Sequence, residues 1–139
     1  MTMPFLPSRK RLSELTEQEI VALAIASEED DARIYRNWAA FLRKDYPASA
    51  AVFDAMSAEE DGPRRLLLDM HQRRWGDAIA VIRREHVAGY VTRRPAWMIE
   101  NLSLDRIRAE AAGMERDAAE FYAHAAQVSQ DAGTRKLLG

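Results

Sequence analysis

From Glu17 to Arg43 the chain runs without a glycine or proline, and its apolar residues recur at intervals of three and four. That is the period of an amphipathic helix. Thr16 supplies an N-cap, and Glu19 follows at the spacing of a capping box. "DYPASA" then reads as a turn into a second helix from Ser49 to about Trp75, with Asp61-Gly62-Pro63 in its middle. Residues 76–102 mix apolar, basic and Gly/Pro positions and predict one or two short helices. Ser103 is the next N-cap, for a helix reaching about Gln130, and "DAGTRKLLG" starts a further helix that stops almost at once. Residues 1–13 are punctuated by proline and predict an irregular arm. Strand patterns are nearly absent. The pattern predicts an all-α chain of long antiparallel helices, most simply a bundle.

The first and third long helices look like copies of one unit. At an offset of 87 residues, "ALAIASEEDDARIYRNWA" lies over "AEAAGMERDAAEFYAHAA", and Glu28, Asp30, Ala32 and Tyr35 fall on Glu115, Asp117, Ala119 and Tyr122. The repeated unit is a helix hairpin. Its second copy would need a return helix beginning near Ala132, which Gly139 cuts short.

Helical phase places the acidic residues of the repeat. With Glu28 set at zero and roughly 100° per residue, Val21, Ala24, Ala32, Tyr35, Ala39 and Leu42 fall near it, so Glu28 is expected inside the apolar stripe. Ala111, Ala119, Tyr122 and Ala126 flank Glu115 in the same way. Phe53, Met56 and Leu67 flank Glu60, if the helix keeps its phase across Gly62-Pro63. Isolated buried carboxylates cost several kcal/mol each. Three arrangements relieve that cost: arginines from neighbouring helices, protonation, or a cation enclosed by oxygen ligands from facing helices. Three glutamates in phase, two of them in a repeat, favour the cation. Tyr35 and Tyr122 lie two turns beyond Glu28 and Glu115, where a hydroxyl can hydrogen-bond a carboxylate across the bundle.

Composition narrows this reading. The 139 residues suit one domain, 47% hydrophobic and 30% charged, which is globular composition. A net charge of -2 gives no basic field for nucleic acid, and the arginine pairs are interspersed with acids as in solvated faces. The absence of cysteine excludes disulfides, Cys-ligated zinc, rubredoxin-type iron and thiol catalysis. "MTMPFLPSRKR" lacks the apolar core of a signal peptide, and no run approaches a membrane span, so the expected location is the cytoplasm.

"AIASEEDDARIYRNWA", "AMSAEEDGP" and "GMERDAAEFYAHAA" together resemble the ferritin-like, rubrerythrin-type family. Such four-helix bundles hold two metal ions with a Glu from each of two helices and Glu-x-x-His from the other two. "EEDG" with its following basic run, "RRPAW" and "DAGTRKLLG" are similar, more narrowly, to the rubrerythrin-like domain of membrane-bound ferritins, in which that domain is fused to a vacuolar-iron-transporter-like membrane part. The resemblance spans residues 13–139. It implies a ferritin-like bundle with a truncated fourth helix, a single domain over residues 1–139 that is the N-terminal fragment of a longer protein, and a place on the cytoplasmic face of a membrane. It implies iron as cofactor, dinuclear in the intact family, with manganese or zinc as substitutes. Glu28, Glu60 and Glu115 would be ligands and Glu59 an outer ligand or shuttle, with Tyr35 and Tyr122 bonded to them from behind.

Two departures qualify the expected chemistry. Pro63 occupies the place of the Glu-x-x-His imidazole, and the fourth helix stops before its own such motif. His71 shares the face of Glu60 but lies eleven residues on, about 16 Å along the axis, too far for one centre. It reads as a buried structural histidine, and Trp38, Trp75 and Trp97 read as packing residues. A three-helix remnant exposes an apolar groove, so a homodimer is expected, helix-exchanged or side by side. The expected function is iron binding with ferroxidase-type oxidation by O2 or peroxide, impaired in this chain. The alternatives are a non-catalytic helical dimerisation module with a degenerate metal site, and a rubrerythrin-like peroxidase needing a separate reductant.

Overall fold

The computed structural model describes residues 11–79, 82 and 103–138. A short 3-10 turn, Leu12–Glu14, leads into α1 (Glu17–Leu42), α2 (Pro47–Glu59), α3 (Asp61–Trp75), α4 (Leu104–Val128) and α5 (Ala132–Leu138). No strand occurs among the described residues. The architecture is the all-α helical bundle expected from the pattern, with a short last helix. The residues expected to form helices within 76–102, with His86 and Trp97, lie almost wholly outside the described residues, as do residues 1–10 of the expected arm.

Local hydrogen bonds set the helix starts. The Thr16 hydroxyl accepts the Glu19 N–H (3.1 Å) while the Glu19 carboxylate accepts the Thr16 N–H (3.1 Å), closing a capping box. The Ser103 hydroxyl accepts the Arg106 N–H (3.1 Å) at the head of α4. Pro47 opens α2, where a missing N–H costs nothing.

The single second helix expected from Ser49 to Trp75 is instead two, α2 and α3, hinged at Glu60. Proline inside a helix lacks a donor and clashes with the carbonyl one turn back. Interrupting the helix at Glu60 moves Pro63 into the first turn of α3, where neither penalty applies in full. Glu60 keeps right-handed helical angles (φ -65, ψ -21) and its carbonyl accepts the Arg64 N–H (3.2 Å), so the chain continues in nearly the same direction. Gly76 ends α3 at φ 85, a conformation that favours glycine, and His71 Nδ1 donates to its carbonyl (3.1 Å).

Cross-helix bonds fix the register. Arg43 pairs with Asp54 (2.8 Å), the Ser57 hydroxyl donates to the Ala32 carbonyl (3.0 Å) and Arg64 reaches Glu29 (3.7 Å), so α2 and α3 descend antiparallel to α1. Tyr122 meets Glu28, and the Ser129 hydroxyl donates to Glu17 (2.7 Å), so α4 also runs antiparallel to α1. Two apolar clusters result. One gathers Ile20, Val21, Leu23 and Ala24 with Leu67, Met70, Phe121, Ala125 and Leu138. The other gathers Tyr35, Trp38, Ala39 and Leu42 with Ala50, Phe53, Ile107, Ala111 and Met114. α1 threads both.

α5 is held by its own first residues. The Asp131 carboxylate accepts the Thr134 N–H (2.8 Å) and hydroxyl (3.0 Å) and pairs with Arg74 of α3 (3.3 Å). The backbone bond from Thr134, then its hydroxyl, and then the nearby arginines hold this carboxyl below its ordinary value of 3.8. A carboxyl with a depressed folded pKa stabilises the fold above 3.8 and loses that contribution as pH falls through the folded value. Acid titration followed by amide exchange should therefore show α5 detaching below pH 3.8 in the wild type. Asp131→Asn should flatten that step; an unchanged profile in the variant would assign the detachment to other groups.

Candidate metal-binding site

Between the two apolar clusters α1 changes character. Ser27, Glu28 and Asp31 are all buried there, at 7%, 4% and 6% exposure, with apolar α1 residues on either side along the helix. The same level of the bundle is polar on its other helices. Ser57 is buried near the end of α2, accepts from Arg36 (3.3 Å) and donates to the Ala32 carbonyl. Glu60 is half-buried at the α2–α3 hinge. It stands one turn after Ser57 and one turn before Arg64, which reach Ala32 and Glu29 respectively, so its level is that of Glu28 and Asp31. From α4, the Tyr122 hydroxyl donates to Glu28 Oε1, and Asp117 is half-buried about a turn and a half earlier. The belt therefore joins α1, the hinge and α4, walled above and below by apolar side chains.

The sequence-derived residues divide accordingly. Glu28 is buried as its phase implied. Tyr122 makes the cross-bundle bond to a carboxylate that helical spacing suggested. Glu60 lies at the belt level, and Glu59, the last residue of α2, is exposed. Tyr35 is buried, but its ring packs in the upper cluster, stacked on Phe53 at 6.1 Å. Pro63 is exposed in the first turn of α3.

Glu115 does not occupy the centre of a buried stripe: it is exposed. The buried stripe of α4 runs through Ile107, Met114, Phe121 and Ala125, and Glu115 is rotated about 100° from Met114. Its side chain instead lines a cleft of about 280 Å³ between α2 and α4, with Phe53, Met56 and Ala111. Among the described residues no three His, Asp or Glu side chains come close enough to form a metal-binding group. A single chain thus places Glu28 and Asp31 together and Glu60 at their level, with Glu115 elsewhere.

Sequence reasoning passed over Asp31 and Ser57 and met Asp117 only as the repeat match of Asp30. Asp31 had a signal: it follows Glu28 by three residues and shares its face. His71 is buried against Trp75, with ring centroids 5.3 Å apart, well below the belt in the lower part of α3.

The rubrerythrin family model matches residues 19–139. The chain belongs to the rubrerythrin family. No curated protein and no solved structure matches it. The match takes in all of α2, α3, α4 and α5 and all but the first two residues of α1. Among the described residues no helix is long and apolar enough to cross a membrane.

Proposed function

We propose that this chain is an iron-handling domain, assembled as a homodimer, whose polar belt is a partial dinuclear-type carboxylate site. The observation that carries the reading is Glu28, a carboxylate buried at mid-bundle and hydrogen-bonded by Tyr122 from the opposite helix. Carboxylate oxygens are hard donors suited to iron and manganese. The donor type fits; the donor number within one chain does not, since no group of three forms among the described residues. Glu28 and Glu60 are the residues that would hold the ion, Asp31 joins them from the same turn, and Glu59 serves as an outer ligand. When bound, the iron would supply the electrons for reaction with O2 or peroxide. The chain's own part is to fix the carboxylates: Tyr122 orients Glu28, Ser57 and Arg36 brace α2 against α1, and the two apolar clusters exclude water.

A homodimer accounts for two further observations. Val52, Phe41 and Tyr46 are exposed at 57%, 52% and 47%, apolar side chains that a partner surface would cover. Arg108 and Glu115, two turns apart on α4, line the α2–α4 cleft and make no ion pair among the described residues. An antiparallel second copy sets each Arg108 against the other's Glu115, as a two-fold contact requires. This brings Glu115 into the assembly as a residue of the interface.

The second reading, a non-catalytic helical module, draws on Pro63 and on the missing three-donor group. Anaerobic Fe(II) titration separates the two. Saturable binding is expected, weakened at least tenfold by Glu28→Ala and by Glu60→Ala. Binding absent in the wild type, or indifferent to both substitutions, would leave the interaction module as the function. Fusion to a membrane iron exporter, and the cytoplasmic location that would follow, belong to this same proposal and rest on the "EEDG" and "RRPAW" resemblance.

A further inference from the structure

A second cleft lies at the other end of the molecule, between α3 and α5, with a volume of about 480 Å³. Leu66, Met70 and Leu137 form its apolar surface, and Leu66 leaves 56% of itself exposed there. Arg73, Arg74 and Lys136 stand around it, with Asp131 as the one carboxylate. Their formal charges sum to +2, on a chain whose net charge is -2.

The three cations are not equivalent. Arg74 is committed: it pairs with Asp131 (3.3 Å), donates to the Thr134 hydroxyl (3.1 Å) and lies 4.3 Å from the Trp75 ring centroid. That arrangement consumes the charge of Asp131. Arg73 and Lys136, one from each wall, make no ion pair or hydrogen bond within the described residues. The cleft therefore offers two uncommitted cations over an apolar floor. Its volume is that of a small-molecule site, most of whose affinity comes from apolar lining while a few polar groups set orientation.

We propose that this cleft binds a free single-chain fatty carboxylate of medium length, the alkyl chain on Leu66, Met70 and Leu137 and the carboxylate between Arg73 and Lys136. A neutral apolar ligand would leave both cations unused. A doubly charged small anion would leave the apolar floor wet. An amphiphile with one negative head uses both. The site is separate from the polar belt, and Glu28 has no part in it.

The test is titration of the full chain with hexanoate, octanoate and decanoate below their micelle-forming concentrations, read by amide chemical shifts of α3 and α5. Decyltrimethylammonium serves as the cationic control. Saturable binding is expected, with Kd falling about fifteenfold for each two added carbons, since each buried methylene contributes about fourfold. Arg73→Glu combined with Lys136→Glu should weaken decanoate at least tenfold and strengthen the cationic control. Both positions are exposed, so an unchanged melting temperature would show that the fold survives. Leu66→Ser should weaken both ligands. Equal affinity for decanoate and the cation would overturn the proposal, as would decanoate binding that ignores the charge reversal. Capture by anionic phosphatidylglycerol vesicles with no response to free decanoate would overturn it too, and would assign the cleft to a membrane surface.

Discussion

Replacing Glu28 by glutamine should raise the melting temperature of the metal-free chain and lower that of the metal-loaded chain relative to wild type. The opposite signs come from one fact. Glu28 is 4% exposed, so its charge has been taken out of water. Glutamine has the same shape and its amide oxygen still accepts from Tyr122, but it carries no charge to desolvate. Burying a charged carboxylate costs several kcal/mol, and recovering about 1 kcal/mol of that would be a rise of about 3–4 °C for this chain length. A cation reverses the balance. Wild type then gains about 2.7 kcal/mol with free metal at a hundred times Kd, and the variant forfeits most of that. Thermal melts of both proteins with and without Fe(II) under anaerobic conditions, or with Mn(II) in air, give four midpoints. If glutamine lowers the midpoint without metal, the carboxylate is an internal structural charge and the belt is not a metal site.

How far the sequence reveals this site depends on how locally each feature is encoded. The caps at Thr16 and Ser103 involve residues three apart, so both helix starts are legible without knowing the fold. Glu28 is legible because α1 lies between both apolar clusters and is apolar over a wide arc, which leaves its centre insensitive to small phase errors. Glu115 is not, because alanines dominate the stripe drawn around it and alanine is at home on either face. Ala111 is buried while Ala119 is exposed, and the large residues Met114 and Phe121 set the true direction. Pro63 announces a break in the second helix, but the position of the break follows from where a missing donor is tolerated, and this moves the hinge to Glu60. The meeting of Tyr122 with Glu28 is the least local feature. The repeat supplies both residue types, yet only antiparallel packing of α4 on α1 brings the tyrosine of one copy to the glutamate of the other.

Trp38→Ala should cost about 3–5 kcal/mol, the usual loss for truncating a buried tryptophan, and lower the melting temperature by about 10–20 °C in a chain of this length. Trp38 is 2% exposed and stands edge-on to Tyr35 at 5.9 Å and to Phe53 at 5.7 Å. It thereby locks α1 to α2 one turn beyond Tyr35, in the cluster that closes the polar belt from above. Three rings in mutual contact collapse poorly around a missing member, so the cavity persists and the cost falls at the upper end of the range. Trp38→Phe should cost far less. It keeps a ring in the cluster, and it removes a buried indole N–H that finds no hydrogen-bond partner among the described residues, a group that is itself expensive to bury. Urea unfolding of the two variants measures the difference. Equal losses would mean that the indole N–H is satisfied by buried water and matters as much as the ring. If Trp38→Phe also preserves the Fe(II)-dependent rise in melting temperature, the tryptophan acts on the belt through packing alone, because a phenylalanine can hold α1 and α2 together but cannot take over an indole's part in electron transfer.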